Sequence, residues 1–357
     1  MPSSPDPLLT HPFPTAPAPG EVQEVAPGIL WLRLPLPFRL NHVNVYLIED
    51  GDGYALLDTG IDDEPTRAIW TALLAGHLAK RPLTRLIVTH HHPDHVGSAD
   101  WLVRRSGLRL EMSEAEYLSS LVLNLDPAAL EADPYRRFYV TNGLDPATTD
   151  LVVTQGHRYL HMLSGLPATF RRIVAGEKLI IGGRVFDVLT GGGHAPEQIM
   201  LHCADAKVFL SADQVLARIS PNVSVYPRDP EGDPLGIYLR SLRELTGIIP
   251  EDVLVLPGHD LPFIGLHRRI EAMRHHHEER CGEIARACQE APLSGAELVP
   301  ILFRRDLDPH QTGFAFAEAM AHVNYMRRRG RLSLVAGQDG IDRFKAPDGP
   351  SPASTRA

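Results

Sequence analysis

The chain holds only three cysteines, Cys203, Cys281 and Cys288, in 357 residues. So sparse and odd a set builds no disulfide framework, which excludes a small stapled secreted fold and suits a reducing cytosol. Positive charge is not in excess: 35 Lys and Arg against 44 Asp and Glu leave a formal net charge of −9. No general pull toward nucleic acid or an anionic membrane follows from that balance. No apolar run approaches the ~20 residues that span a bilayer, and the N-terminus lacks the basic-then-apolar order of a signal peptide. A G-x-S-x-G nucleophile elbow is also missing. The expectation is a soluble, cytoplasmic protein with no membrane partner.

What is present is an ordinary globular composition, 43% apolar and 22% charged, long enough for a large core and a smaller appendage. Residues 1–20, rich in Pro, Ser, Thr and Ala, read as a disordered or extended leader. Val43 to Ile48 and Tyr54 to Asp58 flank Gly51-Asp52-Gly53, a hairpin signal. Residues 64–79 carry helical spacing, and Leu86-Ile87-Val88-Thr89 reads as a buried strand. From 113 to 175 the text turns helical, opening on a capping box of Ser113 and Glu116. Strand-like runs then return at 179–181, 186–189, 198–201, 208–210 and 253–256. Segment 113–175 is thus expected as a helical insertion in a β-rich core spanning 21–265. After 262 the chain is mostly helical, with a second capping box at Ser294 and Glu297, a helix over 314–329 and a small hairpin from Arg331 to Phe344. These features suggest a winged-helix-like module over 266–346 and a disordered tail over 347–357.

The chemistry lies where apolar runs end. His90, His92, Asp94 and His95 fall within six residues directly after a strand, and imidazole and carboxylate are ligands for Zn²⁺ and other first-row ions. His194 follows a triple glycine, Asp213 follows Leu210-Ser211-Ala212, and His259 follows Pro257-Gly258. A solvated loop holding surplus histidines is the bland alternative among 18 histidines. Four ligand-type residues in this order, joined by three more at strand ends, is a much rarer arrangement. His91 is expected to point away. The run His275-His276-His277 lies among charged residues, and successive helical positions diverge by about 100°, so it reads as a solvated helix face rather than a ligand set.

His90-x-His92-x-Asp94-His95, with Asp58-Thr59-Gly60, Gly193-His194, Ser211-Ala212-Asp213 and Gly258-His259, resembles the signature of the metallo-β-lactamase superfamily over about residues 22–265. The resemblance implies an α/β fold, an αββα sandwich with metals at one edge. It assigns His90, His92 and His194 to a first ion and Asp94, His95 and His259 to a second, with Asp213 bridging and Asp58 behind an imidazole. It further implies two Zn²⁺, with Mn²⁺ or Fe as alternatives, and a bridging hydroxide that attacks the substrate. Asp94 would orient that hydroxide and pass on a proton. β-Lactamases of this pattern usually carry Cys or Ser where Asp213 stands, whereas thioesterases, lactonases and RNases carry Asp. Glyoxalase II is disfavoured because its basic glutathione-binding residues find no placement.

Residues 291–345 resemble the winged-helix domain that follows the core in one branch of the superfamily, which includes thioesterases and a single-stranded-RNA endonuclease. Arg327, Arg328, Arg329 and Arg331 form a basic patch there, read either as a nucleic-acid contact or as packing beside the site or against a second copy in a homodimer. Tyr226, in the loop after Asp213, is a candidate substrate contact against ordinary loop packing. The favoured function is hydrolysis of a small-molecule ester, thioester or lactone, the insertion forming a lid or acyl pocket. RNA cleavage at the same site, β-lactam hydrolysis and a non-enzymatic winged-helix regulator are the alternatives.

Overall fold

The structure, a computed structural model, describes residues 9–125, 133–154 and 156–347. Two compact units divide them: residues 9–125, 158–221 and 241–270 form the first, and 133–154, 156–157, 222–240 and 271–347 the second.

The first unit is built on two sheets. One is seven-stranded: β1 (Val22–Ala26), β2 (Ile29–Pro35), β3 (His42–Asp50), β4 (Gly53–Leu57), β5 (Leu83–Ile87), β6 (Leu110–Met112) and β7 (Phe170–Arg172) lie side by side in chain order. Neighbours are antiparallel through β4 and parallel from β4 to β7. The other sheet runs β12 (Leu254–Pro257), β11 (Val208–Ala212), β10 (Gln198–Cys203), β9 (Arg184–Gly191), β8 (Lys178–Ile181), and there only β11 and β12 are parallel.

Both faces of the first sheet are covered at its centre, so β4 is buried at every position, and β3 from Val43 to Ile48, rather than alternately. Val43, Val45 and Leu47 pack with Trp70 and Leu73 of helix α1 (Glu64–Ala75). Their neighbours Tyr46 and Ile48 face Phe186, Val188, Ile199 and Leu201 of the second sheet. Sequence accounts for the start of α1: Asp63 accepts from the Thr66 amide and a proline fills the first turn, where its missing N–H costs nothing. Three further helices follow, the one-turn α2 (Pro93–Val96), α3 (Ala99–Ser106) and α4 (Glu114–Leu125). Helix–sheet–sheet layering is the α/β architecture the signature implied.

Three local readings change. Residues 1–8 of the expected leader lie outside the described residues, but 9–20 are not loose. Thr10 bridges to Ile264, His11 Nδ1 lies 3.1 Å from the Pro262 carbonyl oxygen, and Leu9 and Phe13 pack onto the core. Those two apolar side chains are what a Pro-rich composition hides. The insertion also ends differently: β7 pairs parallel with β6, and three residues are too few for any periodicity to show. At its start, Ser113 Oγ donates to the Glu197 carbonyl and Glu116 accepts from His91 and Glu197, so both side chains are engaged across the fold.

The second unit takes α5 (Asp133–Thr141) and α6 (Pro146–Thr154) together with the C-terminal elements. Between them and the C-terminal part lie α7 (Gly156–His161) and α8 (Pro234–Ile248), then α9 (Leu266–Glu290), α10 (Gly295–Leu302), α11 (Pro309–Arg327) and the antiparallel hairpin β13 (Ser333–Ala336) and β14 (Asp342–Lys345). Three helices and a hairpin stand where the sequence put them, and the Ser294–Glu297 capping box forms. Phe138 of the insertion packs edge-on against Phe316, ring centroids 5.8 Å apart, and the Asn142 carbonyl accepts the Ala296 amide. The middle of the insertion is therefore part of the C-terminal unit, which a cut at residue 265 does not capture.

The histidine run on α9 needs correcting. His275 is exposed, but His277 is buried, its Nδ1 3.2 Å from His322 Nε2. His277 falls on the stripe Ile270, Met273, His277, Cys281, Ile284, Cys288, whose helical spacing makes it the buried face of the helix.

Candidate metal centre

Five strand ends of the first unit deliver the site. Asp58 follows β4, His90 comes three residues after β5, His194 three after β9, Asp213 directly after β11, and His259 two after β12. After β5 the chain caps a one-turn helix: His92 is its N-cap and Pro93 opens it, which sets Asp94 and His95 on the next turn. Two of these ends need a left-handed backbone at a residue other than glycine, Asp58 at φ 65° and Ala212 at φ 46°. Such strain persists only where surrounding bonds fix it.

Those bonds are present. Asp58 Oδ1 accepts the Thr89 amide at 2.8 Å, and Oδ2 accepts Thr89 Oγ1 at 2.9 Å and His95 Nδ1 at 2.8 Å. Thr89 Oγ1 also lies 2.9 Å from His90 Nδ1. With its hydrogen given to Asp58, that hydroxyl accepts from His90 Nδ1–H, which leaves His90 Nε2 bare. His259 Nδ1 donates to the His42 carbonyl at 2.8 Å. Three imidazoles thus turn Nε2 inward, each held from behind.

In front, the side chains converge. Donor atoms within 4.8 Å of one another form three groups: His90, His92 and His194; His90, His95 and Asp213; Asp94, His95 and His259. All seven predicted ligands are brought together, and His90 and His95 each serve two groups. His259 Nε2 lies 3.2 Å from both Asp94 Oδ2 and Asp213 Oδ2, and His95 Nε2 lies 3.5 Å from Asp213 Oδ1. His91 is excluded, turned instead to Glu116. Tyr226 groups with the second unit, where the Arg228 guanidinium lies over its ring.

The set fits divalent ions. His95 Nε2 and Asp213 Oδ1 are buried with no hydrogen-bond partner, a cost of about 1–3 kcal/mol for each such atom unless something binds it. Gly258 leaves the space: a Cβ there would lie 2.2 Å from Asp213 Oδ1 and 3.0 Å from His95 Cε1. Charge tells the same story. Burial and the neighbouring imidazoles hold His90 and His92 well below the usual histidine range, so both stay neutral donors. Burial opposes charge on His259 and His95 as well, but Asp213 and the other carboxylates outweigh it, lifting His259 to about 10 and His95 well above its usual value. Carboxylates that pull protons onto buried imidazoles are asking for cations.

Residues that sequence reading passed over hold the loops. Gln198 Oε1 accepts the Asp213 amide, Gln198 Nε2 donates to Gln214 Oε1, and Gln214 Nε2 reaches the Gly192 carbonyl and Ser241 Oγ. This buried amide chain joins the Asp213 loop to the glycine run before His194. Gln198 opens a buried strand, and a lone amide there is the available signal.

Comparison with known proteins agrees with this geometry. Residues 39–259 match the family model described as metallo-beta-lactamase superfamily, and 281–347 that of the metallo-beta-lactamase-like, C-terminal domain. A beta-lactamase domain protein from Burkholderia ambifaria superposes with a TM-score of 0.88 at 40% identity, over 95% of this chain and 98% of that one. A metallo-beta-lactamase family protein from Thermus thermophilus gives 0.77 at 27% identity, over 91% and 100%. The probable metallo-hydrolase YqjP of Bacillus subtilis (strain 168) is 26% identical over 289 residues, 78% of this chain and 87% of that protein. With more than half of its length matched to the family model, the chain belongs to the metallo-β-lactamase superfamily.

Proposed function

We propose that the chain is a dinuclear metal-dependent hydrolase of small-molecule esters, thioesters or lactones. The observation that carries this reading is the overlap of the three ligand groups, in which His90 and His95 are shared. A closed structural zinc site uses four ligands and one ion; seven converging ligand-type side chains suit two. When bound, a pair of ions, Zn²⁺ first by ligand type with Mn²⁺ or Fe as alternatives, would lower the pKa of bound water to about 7 and polarise the scissile bond. The chain's own residues do the rest. Asp58 and Thr89 hold two imidazoles in one tautomer. Asp94, whose side chain keeps 19% of its exposure, is reachable from solvent and is placed to take up and release a proton at Oδ2. Asp213 in place of Cys or Ser favours acyl transfer to water over β-lactam hydrolysis.

One observation weighs against RNA cleavage. The arginine patch is spent on its own chain. Arg328 donates to the Glu231 carbonyl, Arg329 pairs with Asp233 and stacks on Tyr325, and Arg331 forms a two-pronged pair with Glu278. Arg327 lies over the Phe344 ring.

The test is a panel of acyl-CoA thioesters, simple esters and lactones, offered to metal-loaded protein and to Asp94→Ala. Metal-dependent turnover of at least one class, lost in the variant, is expected. No turnover of any class sinks the substrate assignment.

A further inference from the structure

The second histidine of the run, His91, is no ligand, yet it is 5% exposed and tightly bonded. Its imidazole Nδ1–H donates to Glu116 Oε2 at 2.5 Å, and its backbone N–H donates to the same oxygen at 3.0 Å. The other oxygen, Oε1, accepts the Glu197 amide at 2.6 Å. Glu116 is on α4 and its side chain is fully buried. One carboxylate therefore grips two loops. The first carries His90 and His92; the second, three residues before Glu197, carries His194. Ser113 Oγ adds a bond to the Glu197 carbonyl at 2.8 Å, and Tyr159 OH closes the first loop by donating to the His91 carbonyl at 2.6 Å.

We propose that His91 and Glu116 form a latch that sets the spacing of the three-histidine group and thereby the affinity of one ion. This rests on the reading of the site as a metal centre. His90, His92 and His194 come from two loops, with ring centroids 4.5–5.1 Å apart. A ligand group split between two loops keeps its geometry only if something ties the loops together. Glu116 ties them from behind, while His95 and His259 have their own supports in Asp58 and the His42 carbonyl. Glu116 and His91 are thus positioning residues, and their effect falls first on the group of His90, His92 and His194.

The chemistry of the carboxylate makes the test sharp. Glutamine keeps the shape of Glu116 but offers one acceptor oxygen. Either the His91 donors or the Glu197 amide must then face an NH₂ group. His91→Asn keeps a donor where Nδ1 stood, whereas His91→Ala removes it.

The experiment is a chelator-competition titration of full-length apoprotein with Zn²⁺, resolving successive ions, together with thermal melting. Glu116→Gln and His91→Ala should weaken one ion by about 10- to 100-fold, the usual effect of losing a supporting partner, and weaken the other much less. His91→Asn should recover most of the loss. Equal weakening of both ions in step with a lower Tm would assign Glu116 to general folding and overturn the latch, as would unaltered affinities. A wild-type chain that takes up no Zn²⁺ overturns the metal reading itself, a result the variants cannot imitate.

Discussion

Asp58 Oδ2 lies 2.8 Å from His95 Nδ1, and the opposite ring nitrogen, buried without a hydrogen-bond partner, faces Asp213. That single bond fixes which nitrogen of His95 is bare. Asp58→Asn puts an amide where the acceptor was or forces it to give up the Thr89 bonds. Metal affinity should fall about 10- to 100-fold, read by chelator competition. Affinity equal to wild type would remove Asp58 from the support of the site.

Gly258 gives a more specific prediction. Its φ is not left-handed, so alanine is allowed by the backbone, and the clash of the added Cβ is with Asp213 Oδ1 and His95 alone at close range. Gly258→Ala should lose most metal binding and activity while melting within a few degrees of wild type. A variant that binds metal normally would show that the cradle behind Asp213 is not needed.

The buried histidine pair of the second unit should make stability pH-dependent. Burial, then the neighbouring cations, pushes His277 down to about 2 and His322 to about 4, against about 6.5 in an unfolded chain. The unfolded state therefore binds more protons below 6.5. Stability is full above that pH and is lost as pH falls toward 4. The Tm difference between pH 7.5 and pH 5 should shrink in His322→Gln. An unchanged difference would assign the acid sensitivity elsewhere.

The arginine patch should not behave as a nucleic-acid interface. Arg331→Ala removes a pair with exposed Glu278, worth about 0.2–1 kcal/mol, so a small Tm loss is expected. Single-stranded RNA should show no binding that weakens steeply with salt. Binding with a steep salt slope, reduced in Arg328→Ala, would revive the RNA reading.

The candidate ligands are legible because each stands at the end of an apolar run, and a strand end is a fixed point on a scaffold. His194, Asp213 and His259 could be read that way without their partners. Glu116 could not: its donors are 25 and 81 positions away, and in the sequence it looks like half of a capping box. Gln198 and Gln214 are hidden for the same reason, since their meaning is each other. His277 differs: its place on the α9 stripe is visible in the spacing, but its charged neighbours mask it. The grouping of the insertion with the C-terminal helices depends on contacts such as Phe138 with Phe316, which no local pattern encodes.

The central claim is two ions in one site, and metal content tests it most directly. Apoprotein loaded with Zn²⁺ and freed of excess metal should retain two ions per chain, and Asp213→Ala fewer. A wild-type chain that holds one ion, or none, would contradict the account.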